Sequence, residues 1–82
     1  MSTAATIRGK VEEIARDLGR DPRHLTDDDI LPQTGLLDSA GILELIVWCE
    51  GEFGIDIPQE DLSLDNFGSI RRMTDFIEAR RA

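Results

Sequence analysis

The sequence predicts an all-α fold, a small bundle of three main helices and one short helix. In three segments of the chain, apolar residues recur at spacings of three and four, which is the pattern of helices with one buried face. No segment alternates apolar and polar residues as a strand would. A chain of 82 residues has the length of one domain, over residues 1–82, with a single modest core.

The first predicted helix has an apolar stripe close to the start of the chain. Thr6 is its predicted N-cap, and Gly19 is predicted to end it as a left-handed residue. The stripe consists of Ile7, Val11, Ile14, Ala15 and Leu18.

A long loop is predicted over residues 20–38, because this stretch is rich in proline, aspartate and glycine. Loops of this length in compact domains are often functional. Four apolar side chains are predicted to pin the loop to the core, since their exposure would be costly: Ile30, Leu31, Leu36 and Leu37.

The aspartates at 27–29 do not form a calcium-binding loop of the EF-hand type. Such a loop would need glycine where Pro32 stands and glutamate where Asp38 stands. Because the chain has one histidine and one cysteine, no other metal pattern is present and no metal site is predicted.

The second predicted helix runs from Ser39 to Phe53 and is apolar on two sides. The core side consists of Ile42, Leu45, Ile46, Cys49 and Phe53. A neighbouring side consists of Ala40, Leu43, Val47 and Gly51, bordered by Glu44 and Glu50. Helical spacing alone does not decide between ordinary exposed residues and a docking surface on that second side. Trp48 is predicted to pack in the core or at its boundary, and Cys49 to be a core residue and not a reactive thiol.

The last third of the chain predicts an extended segment, a short helical turn and a final helix. Residues 55–58 are predicted to be extended, and a turn begins at Pro58 as its first position. Ser69 is the predicted cap of the final helix. Its apolar residues are Phe67, Ile70, Met73, Phe76 and Ile77.

The charge of the chain is acidic and unevenly distributed. The net charge of −8 excludes a nucleic-acid-binding role, because phosphates would be repelled. Residues 25–70 contain no basic residue and eleven of the seventeen acidic residues. The segregation favours an acidic face that steers basic partner proteins, although a merely solvated surface would also keep the protein soluble.

The composition also bears on the compartment. No apolar run approaches the length that spans a membrane, and the first residues do not resemble a signal peptide. A lone cysteine fits a reducing environment. We therefore expect a cytoplasmic protein without membrane insertion, and a monomer.

Ser39 stands at the predicted start of the second helix, directly after Asp38. From spacing alone, such a serine is most simply a helix cap. The whole chain, however, and residues 35–58 above all, resembles the acyl carrier protein family. The match includes Asp38-Ser39 and continues without a gap through Glu44-Leu45-Ile46, Glu52-Phe53-Gly54 and Ile57-Pro58.

The resemblance implies an acyl-carrier-protein-like bundle in which Ser39 is esterified with 4′-phosphopantetheine. It also implies that Asp38 helps a phosphopantetheinyl transferase to recognise the site. The residues that fall where this family docks its partner enzymes are Ala40, Leu43, Glu44, Val47 and Glu50. A carrier of this kind is not an enzyme, since its partners perform the chemistry.

Residues 35–41 (Gly-Leu-Leu-Asp-Ser-Ala-Gly) are similar to the D-alanine carriers and related aminoacyl carriers. Most fatty acid and polyketide carriers of the family have leucine directly after the serine, where this chain has Ala40 and then Gly41. These small residues are expected to thin the contact surface beside the phosphopantetheine arm. The resemblance implies an aminoacyl thioester as cargo, an ATP-dependent aminoacyl or acyl ligase that loads it, and a downstream acceptor enzyme. Two alternatives stay open: a fatty-acid or polyketide carrier, and an acidic helical adaptor that binds a basic protein non-covalently.

Overall fold

The structure is a computed structural model and describes residues 2–81. Over these residues it contains helices and no strand, which confirms the all-α prediction. The helices are α1 (Thr3–Asp17), α2 (Leu31–Thr34), α3 (Ser39–Phe53), a 3₁₀ turn (Gln59–Asp61), α4 (Leu64–Phe67) and α5 (Ile70–Arg81). The three long helices are those predicted, but the described part of the chain has three short helical segments where one was expected.

Helix α1 begins earlier than predicted. Ser2 is the N-cap, and its Oγ accepts a hydrogen bond from the Ala5 N–H at 3.1 Å. The prediction of Thr6 as the cap is therefore wrong, since Thr6 lies inside the helix and its hydroxyl donates to the Ser2 carbonyl at 3.1 Å. Gly19 follows the C-cap with φ +76°, which confirms its predicted left-handed conformation.

The core lies where α1 packs against α5 and α3. Four residues of the predicted α1 stripe are buried, whereas Leu18 is 44% exposed because it caps the helix beyond its last turn. Leu31 and Leu37 are buried as predicted, Leu36 is half-buried against the same core, and Ile30 is half-buried. The main apolar contributors to this core are Ile7, Val11, Ile14, Leu31, Leu37, Leu45, Cys49, Phe67, Ile70, Met73 and Ile77.

The stretch between α1 and α3 is held by ion pairs to both ends of the chain. Arg8 of α1 binds Asp27 with an N–O distance of 2.6 Å, and Arg71 of α5 binds Asp28. The hydrogen bond from Arg71 lowers the pKa of the Asp28 carboxyl. Asp29 accepts a hydrogen bond from the backbone N–H three residues before it, at 2.9 Å. The three aspartates thus order the connection, and between residues 2 and 81 no cluster of metal-binding side chains is found.

The carboxy-terminal helix begins at the predicted cap. Ser69 is buried, and its Oγ accepts a hydrogen bond from the Arg72 N–H at 3.1 Å. Phe67 belongs to α4 and not to the final helix, because the chain turns at Gly68 between the two helices. Pro58 precedes the 3₁₀ turn as its N-cap instead of occupying the first position. None of the described helices is both long and apolar enough to pass through a membrane.

Candidate functional site

Helix α3 begins at Ser39 and ends at Phe53, as predicted, but the residue that caps it is Asp38. Asp38 has an extended backbone (φ −95°, ψ −175°), and its Oδ1 accepts a hydrogen bond from the Gly41 N–H at 2.8 Å. This is the geometry of an N-cap, in which a carboxylate satisfies an otherwise unpaired amide. The interpretation of Ser39 as only a cap is therefore wrong.

Ser39 occupies the first helical position and is exposed. Because Asp38 performs the capping, the Ser39 hydroxyl has no hydrogen-bond partner within the part of the chain that the structure describes. A free primary hydroxyl can be esterified. The start of a helix also stabilises a nearby phosphate, since its amides and dipole present positive charge there.

An apolar groove begins at Ser39 and lies between α3 and α4. Its volume is about 560 Å³, and it is lined by Ser39, Pro32, Ile42, Leu43, Ile46 and Leu64. A second cavity of about 220 Å³ shares four of these residues and extends the groove toward Leu62, Ser63 and Phe67. A group attached at Ser39 would therefore have an apolar surface within reach.

The second apolar side of α3 is exposed, as the sequence predicted. Leu43 and Val47 have exposed fractions of 56% and 61%, and Ala40 is exposed beside Ser39. Residues three and four positions apart share one face of a helix, so these three form a continuous strip. Glu44 is exposed next to this strip.

Glu50 differs from the other residues predicted to contact partners. It is half-buried, and its Oε2 accepts a hydrogen bond from the Ile57 N–H at 3.1 Å. Its carbonyl also accepts hydrogen bonds from the backbone N–H groups of Gly54 and Ile55, where the helix ends. Glu50 thus closes the end of α3 onto the extended segment, a role that helical spacing did not indicate because Ile57 lies beyond the helix.

Gly41 is buried on the inner side of α3, facing α1. The expectation that the residues at 40 and 41 together thin the outer surface is wrong for Gly41, because only Ala40 lies on that surface.

A protein-family model matches most of the chain. Residues 11–77 match the family model described as the phosphopantetheine attachment site. The chain belongs to this family.

Carrier proteins from several bacteria are similar to the chain over most of its length. A D-alanyl carrier protein of Enterococcus faecalis is 31% identical over 74 residues, which cover 89% of this chain and 95% of that protein. Another D-alanyl carrier protein, from Streptococcus pyogenes serotype M5, is 30% identical over 78 residues, with coverage of 95% and 94%. Aminoacyl carrier protein 2 of Bradyrhizobium diazoefficiens is 28% identical over 76 residues, with coverage of 88% and 83%.

The cofactor of this phosphopantetheine carrier is covalently bound 4′-phosphopantetheine, as the resemblance implied. The described residues fit such a group, since an exposed and unbonded hydroxyl stands at a helix start. The predicted acyl-carrier-like bundle is likewise confirmed.

The one cysteine of this carrier lies in the core. Cys49 is fully buried, and its burial raises the pKa of the thiol to about 12. Trp48 lies at the core boundary, as predicted: it is half-buried, and its ring lies edge-on to Phe53 with 5.9 Å between centroids. The Lys10 ammonium lies 5.9 Å from the same indole ring.

Proposed function

We propose that Ser39 is the residue to which 4′-phosphopantetheine is attached, and that the protein carries an aminoacyl group on this arm. One observation supports the choice of Ser39 above the others: its hydroxyl is exposed and unbonded at the start of α3, while the neighbouring Asp38 caps the helix. When bound, the arm supplies a terminal thiol that holds the cargo as a thioester.

Asp38 and the first turn of α3 prepare the modification site. The hydrogen bond from Gly41 to Asp38 fixes the helix start, so that Ser39 is presented from ordered backbone. The unpaired amides of that first turn stabilise the negative phosphodiester that esterification creates. The transferase, a loading ligase and an acceptor enzyme would then do the chemistry, and the carrier itself would be non-catalytic.

An aminoacyl cargo is supported by residues 35–41 and by relatives named D-alanyl and aminoacyl carrier proteins. A second candidate, a fatty acyl or polyketide cargo, is favoured by the apolar groove beside Ser39. A non-covalent adaptor is disfavoured by the family match, because members of this family have a phosphopantetheine attachment site.

Intact-protein mass spectrometry after incubation with coenzyme A and a phosphopantetheinyl transferase tests the attachment residue. We expect the chain to gain the mass of one phosphopantetheine, and Ser39→Ala to gain none. Ser63→Ala is a matched control, since Ser63 is an exposed serine at the start of α4, and it should be modified like the unaltered chain. Modification of Ser39→Ala would refute the assignment.

The cargo is tested by loading the modified protein with candidate ligases, ATP and labelled amino acids or fatty acids. We expect a labelled amino acid to be attached in a form that hydroxylamine releases, as it does a thioester. Loading by fatty acids alone would establish the second candidate instead.

The partner surface that we propose lies beside and along the exposed strip and consists of Asp38, Ala40, Leu43, Glu44 and Val47. It ends at Glu50, which is half-buried and whose carboxylate already accepts a hydrogen bond from the Ile57 N–H. Glu44→Lys should slow association with the ligase at low salt with little effect on stability, because an exposed charge acts mainly on the association rate. Leu43→Ser should weaken binding at any salt concentration. Unchanged ligase kinetics in both variants would exclude this surface.

A further inference from the structure

Gly41 is a glycine inside a helix, two residues after Ser39. It lies in the first turn of α3 and is buried. Its backbone does not require glycine, because the glycines with positive φ are Gly19, Gly35 and Gly54. What the surroundings limit is the size of the side chain at this position.

The first turn of α3 lies directly against α1 at Gly41. A Cβ atom at this position would stand 3.4 Å from Asp38 Oδ1, 3.4 Å from a Leu37 methyl carbon and 3.6 Å from Ile14 Cγ2. A methyl group just fits at these distances, whereas a longer side chain would have to displace one of the three groups. By contrast, a Cβ atom at Gly9, in the middle of α1, would meet nothing within 4 Å.

Each of these three groups helps to fix the first turn of α3, in which Ser39 lies. Asp38 is the cap of α3, Leu37 precedes it in the core, and Ile14 is the part of α1 on which the turn rests. A side chain longer than a methyl group at position 41 would push the cap aside or lift the turn from α1. Since Ser39 lies between Asp38 and Gly41 in the same turn, either change would move its hydroxyl.

We propose that Gly41 is a positioning residue for the modification of Ser39, because the lack of a long side chain there lets the first turn of α3 rest on α1 and so sets where the hydroxyl lies. The inference depends on the proposed attachment at Ser39. It predicts a larger loss of turnover than of docking, since Leu43, Glu44 and Val47 lie beyond the first turn of α3. A displacement of about 1 Å at a reacting group can reduce a rate by about a hundredfold.

The test compares Gly41→Leu with Gly9→Leu in the full chain, because both replace a helical glycine by the same good helix former. Initial rates of phosphopantetheine transfer are measured at 25 °C against carrier concentration, and circular dichroism gives the folded fraction. We expect Gly41→Leu to lower kcat by about tenfold or more with KM nearly unchanged. Gly9→Leu should match the unaltered chain, and Gly41→Ala should stay within about threefold of it, because a methyl group fits.

A folded Gly41→Leu variant with unchanged kcat would overturn the proposal. So would a rise in KM alone that follows the unfolded fraction, because a purely structural role acts by depleting folded substrate. Where Gly41→Leu is not folded at 25 °C, the shorter Gly41→Val takes its place. Loss of folding in both variants would also overturn the proposal, in favour of a structural role. Failure of the proposed function is distinct, because the unaltered chain would then accept no phosphopantetheine.

Discussion

The Glu50 carboxylate accepts a hydrogen bond from the Ile57 N–H at 3.1 Å, and this bond joins the end of α3 to the extended segment that follows. This hydrogen bond distinguishes Glu50 from Glu44, although both glutamates border the same side of α3 in the sequence pattern. Glu44 is exposed and free to meet a partner, whereas Glu50 is half-buried and holds the protein's own backbone.

We therefore predict that Glu50→Ala destabilises the fold by about 1 to 2 kcal/mol, because the Ile57 amide loses its partner in a half-buried place. Glu44→Ala should change the free energy of unfolding by less than about 0.5 kcal/mol. Urea unfolding followed by circular dichroism measures both. Equal urea midpoints for the two variants would show that the Glu50 bond contributes nothing.

Because Asp38 and not Ser39 caps α3, substitutions at these two neighbouring residues should affect stability differently. Asp38→Ala removes the acceptor for the Gly41 N–H and should cost about 1 kcal/mol of stability. Ser39→Ala should leave stability within about 0.5 kcal/mol, because the Ser39 side chain caps nothing, while it abolishes modification. Asp38→Asn, which keeps a capping oxygen, is the control. A larger loss in Ser39→Ala than in Asp38→Ala would contradict the observed cap.

We predict that position 68 accepts no residue larger than glycine. It is buried between α4 and α5, and a Cβ atom there would collide with the Leu64 carbonyl oxygen. Because that oxygen is backbone and accepts the Gly68 N–H at 2.8 Å, the turn itself would have to shift. We expect Gly68→Ala to lower the thermal midpoint. Gly9→Ala should raise it, since it adds about 1 kcal/mol of helix propensity in open space. A higher midpoint in both variants would disprove the collision.

We predict that the Cys49 thiol stays unreactive while the protein is folded. Burial raises its pKa to about 12 from an ordinary value of 9.0, so the thiolate is almost absent at pH 8. The folded chain retains this proton as pH rises above 9 while the unfolded chain loses it. Stability should therefore fall between pH 9 and 12, and less so in Cys49→Ala.

A thiol-specific colour reagent at pH 8 checks this prediction. Before modification, the folded protein should show no fast-reacting thiol, and the protein unfolded in urea should show one. After modification, the folded protein should show one fast-reacting thiol, which is that of the phosphopantetheine arm. A fast reaction of the folded, unmodified protein would contradict the burial of Cys49.

Much of the fold and the site follows from local pattern. The bounds of α3 were predicted from helical spacing and from Asp38-Ser39 before it, because a period of 3.6 residues and the chemistry of helix starts are properties of neighbouring residues. The exposed strip of Leu43 and Val47 was predicted for the same reason. The start of α1 was misplaced, since Ser2 and Thr6 have similar capping chemistry.

By itself, then, the sequence determined three long helices, a buried Cys49 and an acidic, apolar face behind Ser39. Contacts between distant segments were decided by the tertiary structure alone. Helix packing brings Arg71 to Asp28 across 43 positions and places Gly41 against Ile14 of α1. The path after Gly54 brings Ile57 back to Glu50. The physical reason is that spacing along a helix defines its faces, whereas the neighbour of each face depends on how the helices pack.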